Sequence, residues 1–283
     1  MRRVYLTCMD SSVDYAQELA YSCANLEGLV KTKKLLGADT LTKVSRSLAK
    51  HNEKYISGST ETLGLIYATE YGNLNSMITL STLALSDEEL STRVFPNATI
   101  CSASIATSMI IQSHGLNMTL NGGYLGYGNA LEIAYMYILS GKLDTCLVMT
   151  GDDYNDLSTI DILKFAPSTK NPLSNVTLTI LSSNKYVSGE KSKCYFIEHI
   201  KFKNTDMAEN KDIYIDSMYG NSTAKGLNGM SSKLRENKVY AASSFPFFLL
   251  RDSISAADSA ERISISFGLY GQNEFVATLK SED

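Results

Sequence analysis

The stretch from Gly115 to Asp153, GLNMTLNGGYLGYGNALEIAYMYILSGKLDTCLVMTGDD, decides how the rest of the 283-residue chain is read. Residues 118–120 form a short extended run. Residues 121–128 carry Gly122, Gly123, Gly126 and Gly128, and glycine permits positive φ and close backbone approach. Residues 129–140 are apolar almost all round, the pattern of a helix covered on both sides. Ser140-Gly141 then supplies a C-terminal stop. Residues 145–150 are a continuous apolar run, as in a strand whose sheet is covered on both faces. The reading is strand, tight turn, buried helix, buried strand. Tyr124 stands at the head of the turn, where an α/β protein presents a nucleophile or cradles a phosphate.

Hydrophobic residues make up 44% and charged residues 20% of the chain, as in soluble globular proteins. The length suits one domain or two intimate halves with a large core. A net charge of −4 without a basic stripe argues against a nucleic-acid partner. No apolar run approaches the ~20 residues of a membrane span. The opening MRRVYLTCMDS lacks the apolar segment of a secretory signal. Cys8, Cys23, Cys101, Cys146 and Cys194 are odd in number and scattered, which suits thiols in a reducing compartment. A cytoplasmic location is expected.

Working outward, residues 4–6 predict a first strand, and residues 13–24 have helical spacing through Tyr15, Leu19, Ala20 and Cys23. The charged segment 31–54 reads as surface helix and loop. Residues 63–67 predict a buried strand, and 68–73, ATEYGN, the turn after it. Residues 74–85, LNSMITLSTLAL, predict a mostly apolar helix, by default part of the core. An acidic turn follows at Asp87-Glu88-Glu89. Phe95-Pro96-Asn97 opens a long helix predicted to reach His114. Residues 176–181, 194–202 and 212–215 read as strands, and 216–223 as a turn into a helix. The chain closes with strands at 263–266 and 275–279 around the loop 267–273. No internal repeat is visible.

These features resemble the β-ketoacyl synthases, condensing enzymes of the thiolase fold. In that family a Gly-Pro-Asn-like turn leads, nine residues later, to the acyl-accepting cysteine. Seventeen residues further on, a helix ends in glycine, before an Asp and a buried strand. Here Gly115-Leu116-Asn117 leads from position 115 to Tyr124, and from there to Gly141, Asp144 and the strand. Tyr124 therefore occupies the nucleophile position, and a phenol with a pKa near ~10 is a poor thioester-forming group at neutral pH. Asp216 to Thr223 resembles the family's His-Gly-Thr-x-Thr turn, with Tyr219 in place of the histidine. Phe267-Gly268-Leu269-Tyr270-Gly271-Gln272-Asn273 resembles its closing Phe-Gly-Phe-Gly-Gly-x-Asn loop. No histidine follows His199, so the family's second catalytic histidine has no counterpart.

The resemblance implies an α/β, thiolase-like layered αβαβα fold of two similar halves, 1–187 and 188–283, the second reduced in length. It implies a catalytically degenerate homologue with no cofactor. Such a chain is similar to the chain length factors that pair with an active β-ketoacyl synthase, above all that of bacterial aryl polyene pathways. An acyl carrier protein would dock mainly on the catalytic subunit. Met77, Leu80, Ala84 and Phe95 would line the acyl tunnel and set chain length. Strand residues Asn117, Met118, Thr119 and Leu120, with the helix 97–114, would form the partner interface, since that strand pairs across the two-fold axis.

Other readings compete. The glycine cluster 122–128 does not match Gly-x-Gly-x-x-Gly and lacks an acidic partner ~20 residues on, so a nucleotide loop is not expected. Cys101 could serve as another nucleophile in an active acyltransferase, against a structural thiol in mid-helix. Asp152, Asp153 and Asp156 read as a solvated strand end rather than an ion site. His51, His114 and His199 are isolated, and no zinc or triad arrangement is predicted. A homo-oligomeric binding protein on the same scaffold is the remaining rival.

Overall fold

The structure is a computed structural model that describes residues 2–13, 38–86, 95–153, 174–185, 194–204, 214–217, 220–223, 244–256, 262–268 and 273–282. Its strands are β1 (Tyr5–Val13), β2 (Leu63–Thr69), β3 (Asn117–Asn121), β4 (Thr145–Asp152), β5 (Asn175–Ser182), β6 (Cys194–Asn204), β7 (Tyr214–Ser217), β8 (Gly220–Thr223), β9 (Arg262–Gly268) and β10 (Asn273–Glu282). The helices are α1 (Thr40–His51), α2 (Leu74–Leu85), α3 (Ser102–Ile110), α4 (Gly126–Leu139) and α5 (Phe245–Ala256).

Eight strands form one sheet in the order β3-β2-β4-β5-β1-β6-β10-β9. β2 runs parallel to both β3 and β4, and the remaining pairs are antiparallel. The segment β4-β5-β1-β6-β10-β9 reads the same from either end when β1 exchanges with β6, β5 with β10 and β4 with β9. The step at its centre is narrow: β1 meets β6 only through Tyr5↔Phe196 and Leu6↔Tyr195. β7 and β8 pair with each other in a separate hairpin.

Alternation along the central strands sorts side chains into two cores. Leu65 and Tyr67 of β2, Leu147 and Met149 of β4, and Val176, Leu178 and Ile180 of β5 face α1 and α3. Ile66, Ala68, Cys146, Val148 and Leu181 face α4 and α5. Phe275, Ala277 and Leu279 of β10, with Tyr195 and Ile197 of β6, belong to this second core. The helices α4 and α5 are thus covered by strands from both ends of the sheet. That explains why α4 is apolar on most of its surface. Its buried polar groups are paired: the Tyr127 hydroxyl meets Thr179 Oγ1 at 2.9 Å, and Thr150 Oγ1 bridges Thr177 and Ser244 at 2.6 Å each.

Several expectations are corrected. Segment 31–54 contains α1, which is no surface helix: Leu41, Val44, Ser45, Leu48 and Ala49 are buried, at the i, i+3, i+4, i+7, i+8 spacing of an amphipathic face. The long helix expected over 97–114 is two pieces. Phe95–Ala98 is a single 3-10 turn, and α3 begins only at Ser102. The Asn97 carbonyl is taken by the Asn73 side chain at 3.0 Å and the Pro96 carbonyl by the Thr99 hydroxyl at 3.0 Å, so neither is free for a helical ladder. At the other end Gln112 has φ 54°. The Ser113 N–H closes on the Ser108 carbonyl at 2.9 Å, the six-residue closure of a Schellman ending. Of the turn expected over 216–223, residues 216–217 and 220–223 belong to the paired strands β7 and β8; the helix expected after it lies outside the described residues. The first strand is longer than 4–6 and includes Val13. The helix expected over 14–24, the acidic turn 87–89, Tyr219, Asp156 and the loop residues 269–272 lie outside the described residues.

Gly151 shows how tightly the first core is built. A methyl group there would overlap the Tyr67 hydroxyl and lie 3.2 Å from its Cζ and 3.1 Å from Leu41 Cδ1. Tyr67 is fully buried, with its hydroxyl 2.9 Å from Ser45 Oγ. Gly151→Ala is expected to destabilise the protein by ~1–3 kcal/mol through overpacking. Combining it with Tyr67→Phe should cost less than the sum of the single changes, because the two atoms compete for one space. Denaturant unfolding midpoints read this, and strict additivity would contradict it.

Candidate functional site

The elbow joining β3 to α4 is defined by close backbone approach. A Cβ on Gly122 would sit 2.7 Å from Gly126 Cα, and Gly123 has φ 47°. Only glycine meets both demands without strain. The Gly122 N–H donates to the Thr69 carbonyl at 3.3 Å, fastening the elbow to the end of β2. Tyr124 lies in the 3-10 turn Gly123–Leu125 directly before α4. The helix begins at Gly126, three residues earlier than expected from the apolar run at 129.

Beside the elbow, β4 runs past residue 150 to bury Asp152 at its end. This carboxylate is no solvated strand end. Its Oδ1 accepts from Thr69 Oγ1 at 2.6 Å, Glu70 N at 2.9 Å, Tyr71 N at 2.8 Å and Gly72 N at 3.1 Å. Three backbone donors of one turn and a hydroxyl thus converge on one oxygen, with charge-assisted strength. Asp153 does different work: Asn75 Nδ2 donates to its Oδ2 at 2.7 Å, and its N–H reaches the Gly72 carbonyl at 3.3 Å. Asp39 caps α1, accepting from Thr42 N at 2.7 Å, and receives Asn73 Nδ2 at 2.7 Å. Burial pushes its carboxyl above the usual range, against the lowering effect of those Thr42 bonds. At the far end of β4, Asp144 accepts from Thr62 Oγ1 at 2.7 Å and from Arg2. The Thr62 hydroxyl, and then Arg2, hold its carboxyl below the usual range.

The turn carries α2 away from the body. No residue of α2 is buried, which overturns the default reading of this apolar helix as core. Met77 and Leu80 are half-buried, and Ala84 is exposed. Leu85 is 88% exposed and Phe95 63%. α2 packs against the Phe95–Ala98 turn, so the four chain-length candidates belong to two touching elements on an open surface. Thr79, Ser81 and Thr82 turn their hydroxyls back onto the carbonyls of Asn75, Met77 and Ile78 at 2.8–2.9 Å. Such back-bonding occupies the hydroxyl donors, while the three side chains stay exposed.

Among the described residues β3 lies at the edge of the sheet, paired with β2. Asn117 is exposed and Met118, Thr119 and Leu120 are half-buried. Asn117 ties the strand to α3 by donating to Ser108 Oγ at 2.9 Å and accepting from Ser104. On α3, Ile105 and Met109 are 47% and 75% exposed, one turn apart. The edge strand, α3 and α2 therefore all carry uncovered apolar side chains.

The thiols divide by burial. Cys146 is fully buried and its thiol is driven well above the usual range, and burial pushes Cys8 up to about 12. Cys101 is not in mid-helix. It is half-buried at the N-cap of α3, its Sγ 3.7 Å from Thr99 Oγ1. The three histidines sit on separate elements: His51 ends α1, His114 Nδ1 is 3.1 Å from Glu61 Oε1, and His199 Nε2 is 3.2 Å from Thr278 Oγ1. Among the described residues no cluster of His, Cys, Asp or Glu could hold a metal ion, and no helix is long and apolar enough to cross a membrane.

A curled mixed sheet with buried helices, a glycine elbow before α4 and a parallel edge strand define the thiolase-like fold of the ketosynthases. The solved structures similar to this chain are ketosynthases and chain length factors. The ishigamide ketosynthase/chain length factor superposes with TM-score 0.66 at 11% identity, covering 99% of this chain and 100% of that one. A type II polyketide acyl-carrier protein in complex with its ketosynthase bound to the hexaketide, AntDE:AntF, gives TM-score 0.65 at 9% identity, with both chains fully covered. The ketosynthase ApeO in complex with its chain length factor ApeC from Xenorhabdus doucetiae gives TM-score 0.58 at 8% identity, covering 98% and 99%. No family model matches the sequence, and no curated protein matches it. At these identities the likeness lies in the fold.

The role of Asp152 is open to direct measurement. Asp152→Ala leaves a buried hydroxyl and three N–H groups without their acceptor, and should cost ~3 kcal/mol or more. Asp152→Asn keeps one acceptor oxygen and should cost clearly less. Equal unfolding midpoints for the two variants would count against the carboxylate as the organiser of this turn.

Proposed function

We propose that this chain is a noncatalytic chain-length-factor subunit that pairs with an active β-ketoacyl synthase and shapes its acyl tunnel. The observation that carries the reading is the intact glycine elbow with Tyr124 at its head. By the sequence resemblance this elbow corresponds to the platform of an acyl-accepting thiol, and the tyrosine there is a weak nucleophile at neutral pH. The uncovered apolar surface of α2, α3 and the β3 edge supports the partner half of the proposal. Exposed contiguous apolar surface marks association sites, and an open edge strand is a pairing template. Asn117, Met118, Thr119 and Leu120 would meet the catalytic subunit, and Met77, Leu80, Ala84 and Phe95 would become tunnel wall once it covers them. The acyl carrier protein would be recruited through that subunit. Aryl polyene assembly is the pathway class most similar in sequence pattern. The halves 1–187 and 188–283 would be related by the axis through the β1–β6 step, the second half being reduced.

The position of Cys101, half-buried at the N-cap of α3 and not in mid-helix, favours one alternative, an acyl-transferring enzyme with that thiol as nucleophile. Incubation of the purified chain with an acyl thioester should yield no stoichiometric adduct by intact mass. An adduct mapped to Cys101 would replace the proposal with the enzyme reading.

The steric role predicts a graded outcome. With the ketosynthase present, Met77→Trp or Ala84→Phe should shorten the product by one or more two-carbon units at unchanged complex yield, as read by mass spectrometry of the products. Unchanged length for every bulky substitution would remove the tunnel role.

A further inference from the structure

Helix α2 emerges from the body with no buried residue of its own, so its direction rests on its base and on its packing against the Phe95–Ala98 turn. The residue before it, Asn73, is 2% exposed. Its Nδ2 donates to Asp39 Oδ2 at 2.7 Å and to the Asn97 carbonyl at 3.0 Å, and lies against Ser102 Oγ. Asp39 is the N-cap of α1, and Ser102 is the first residue of α3. One buried amide therefore touches the starts of three helices, its own included. The Asn73 carbonyl also accepts the first helical N–H of α2, from Met77 at 3.1 Å. The second tie, Asn75 to Asp153, lies on the exposed side.

We infer that Asn73 is a positioning residue for α2: its amide sets the angle at which the helix leaves the body, and so where Met77, Leu80 and Ala84 face. This rests on the tunnel reading above for its link to product length. The lever is long enough to matter. Twelve residues at ~1.5 Å each give an arm of about 18 Å, and a tilt of ~10° at the base moves the tip by about 3 Å. A plain structural role for a buried, bonded amide would instead affect the whole fold together.

Asn73→Ser separates the two. Serine is well tolerated at an N-cap, where the Asn73 side chain makes no cap bond of its own, but it is too short to reach Asp39, Asn97 and Ser102 together. Hydrogen exchange on the full chain should show peptides from residues 74–86 exchanging at least tenfold faster, with residues 126–139 unchanged. Ser102→Ala should do the same to a smaller degree. Ile138→Val, a core change in α4, is the stability control and should leave residues 74–86 unchanged. With the ketosynthase present, Asn73→Ser should broaden the product-length distribution and Ile138→Val should not. Unchanged exchange in 74–86, or an increase shared by the whole chain, overturns the inference. Faster exchange with unaltered products, while Met77→Trp still shortens them, overturns its link to length. If Met77→Trp is also silent, the tunnel reading fails, and exchange alone judges the positioning role.

Discussion

A single buried carboxylate oxygen, that of Asp152, fixes the part of the fold on which everything else is mounted. It gathers the Thr69 hydroxyl and the N–H groups of Glu70, Tyr71 and Gly72. The Gly72 N–H also reaches Thr69 Oγ1 at 2.7 Å, so carboxylate and hydroxyl together hold the course of the turn after β2. Two structures start from that turn. The Thr69 carbonyl holds Gly122 of the elbow, and Asn73 begins the exposed helix. The elbow and the apolar surface are thus set by one residue that belongs to neither.

The functional reading grows from two properties of this frame. The elbow is built with the exactness that presenting a reactive group demands, since Gly122 abuts Gly126 and Gly123 takes a positive φ. Its head residue is nevertheless Tyr124. Meanwhile α2, α3 and β3 show apolar side chains that a monomer would be expected to bury. The proposed subunit role rests on these two properties together, a phenol at the head of the elbow and exposed apolar side chains beside it.

Much of the fold was legible in the sequence, and the failures have physical causes. The buried strands β2 and β4 are nearly continuous apolar runs, β5 interleaves apolar residues with Thr177 and Thr179, and the bounds expected for all three fall within two residues of the observed ones. The elbow was visible because glycine spacing is a backbone property written locally. α1 was underrated because its charged face drew attention from Leu41, Val44 and Leu48, whose helical spacing was on the page. α5 was missed altogether, although Phe245-Pro246-Phe247-Phe248-Leu249-Leu250 with Pro in the first turn is a helix start. Apolarity misled at α2, because composition cannot tell a core helix from one reserved for another surface. The knot around Asp152 was not legible: its donors lie some eighty residues away in the chain, and nothing local distinguishes Asp152 from Asp153. Cys101 was misplaced because Pro96 and the side chain of Asn73 interrupt a run whose propensities read as one helix.

The inward-turned hydroxyls of α2 have a consequence for desolvation. Thr79, Ser81 and Thr82 spend their hydrogens on carbonyls of their own helix, so stripping water from this side would strand none of those three donors.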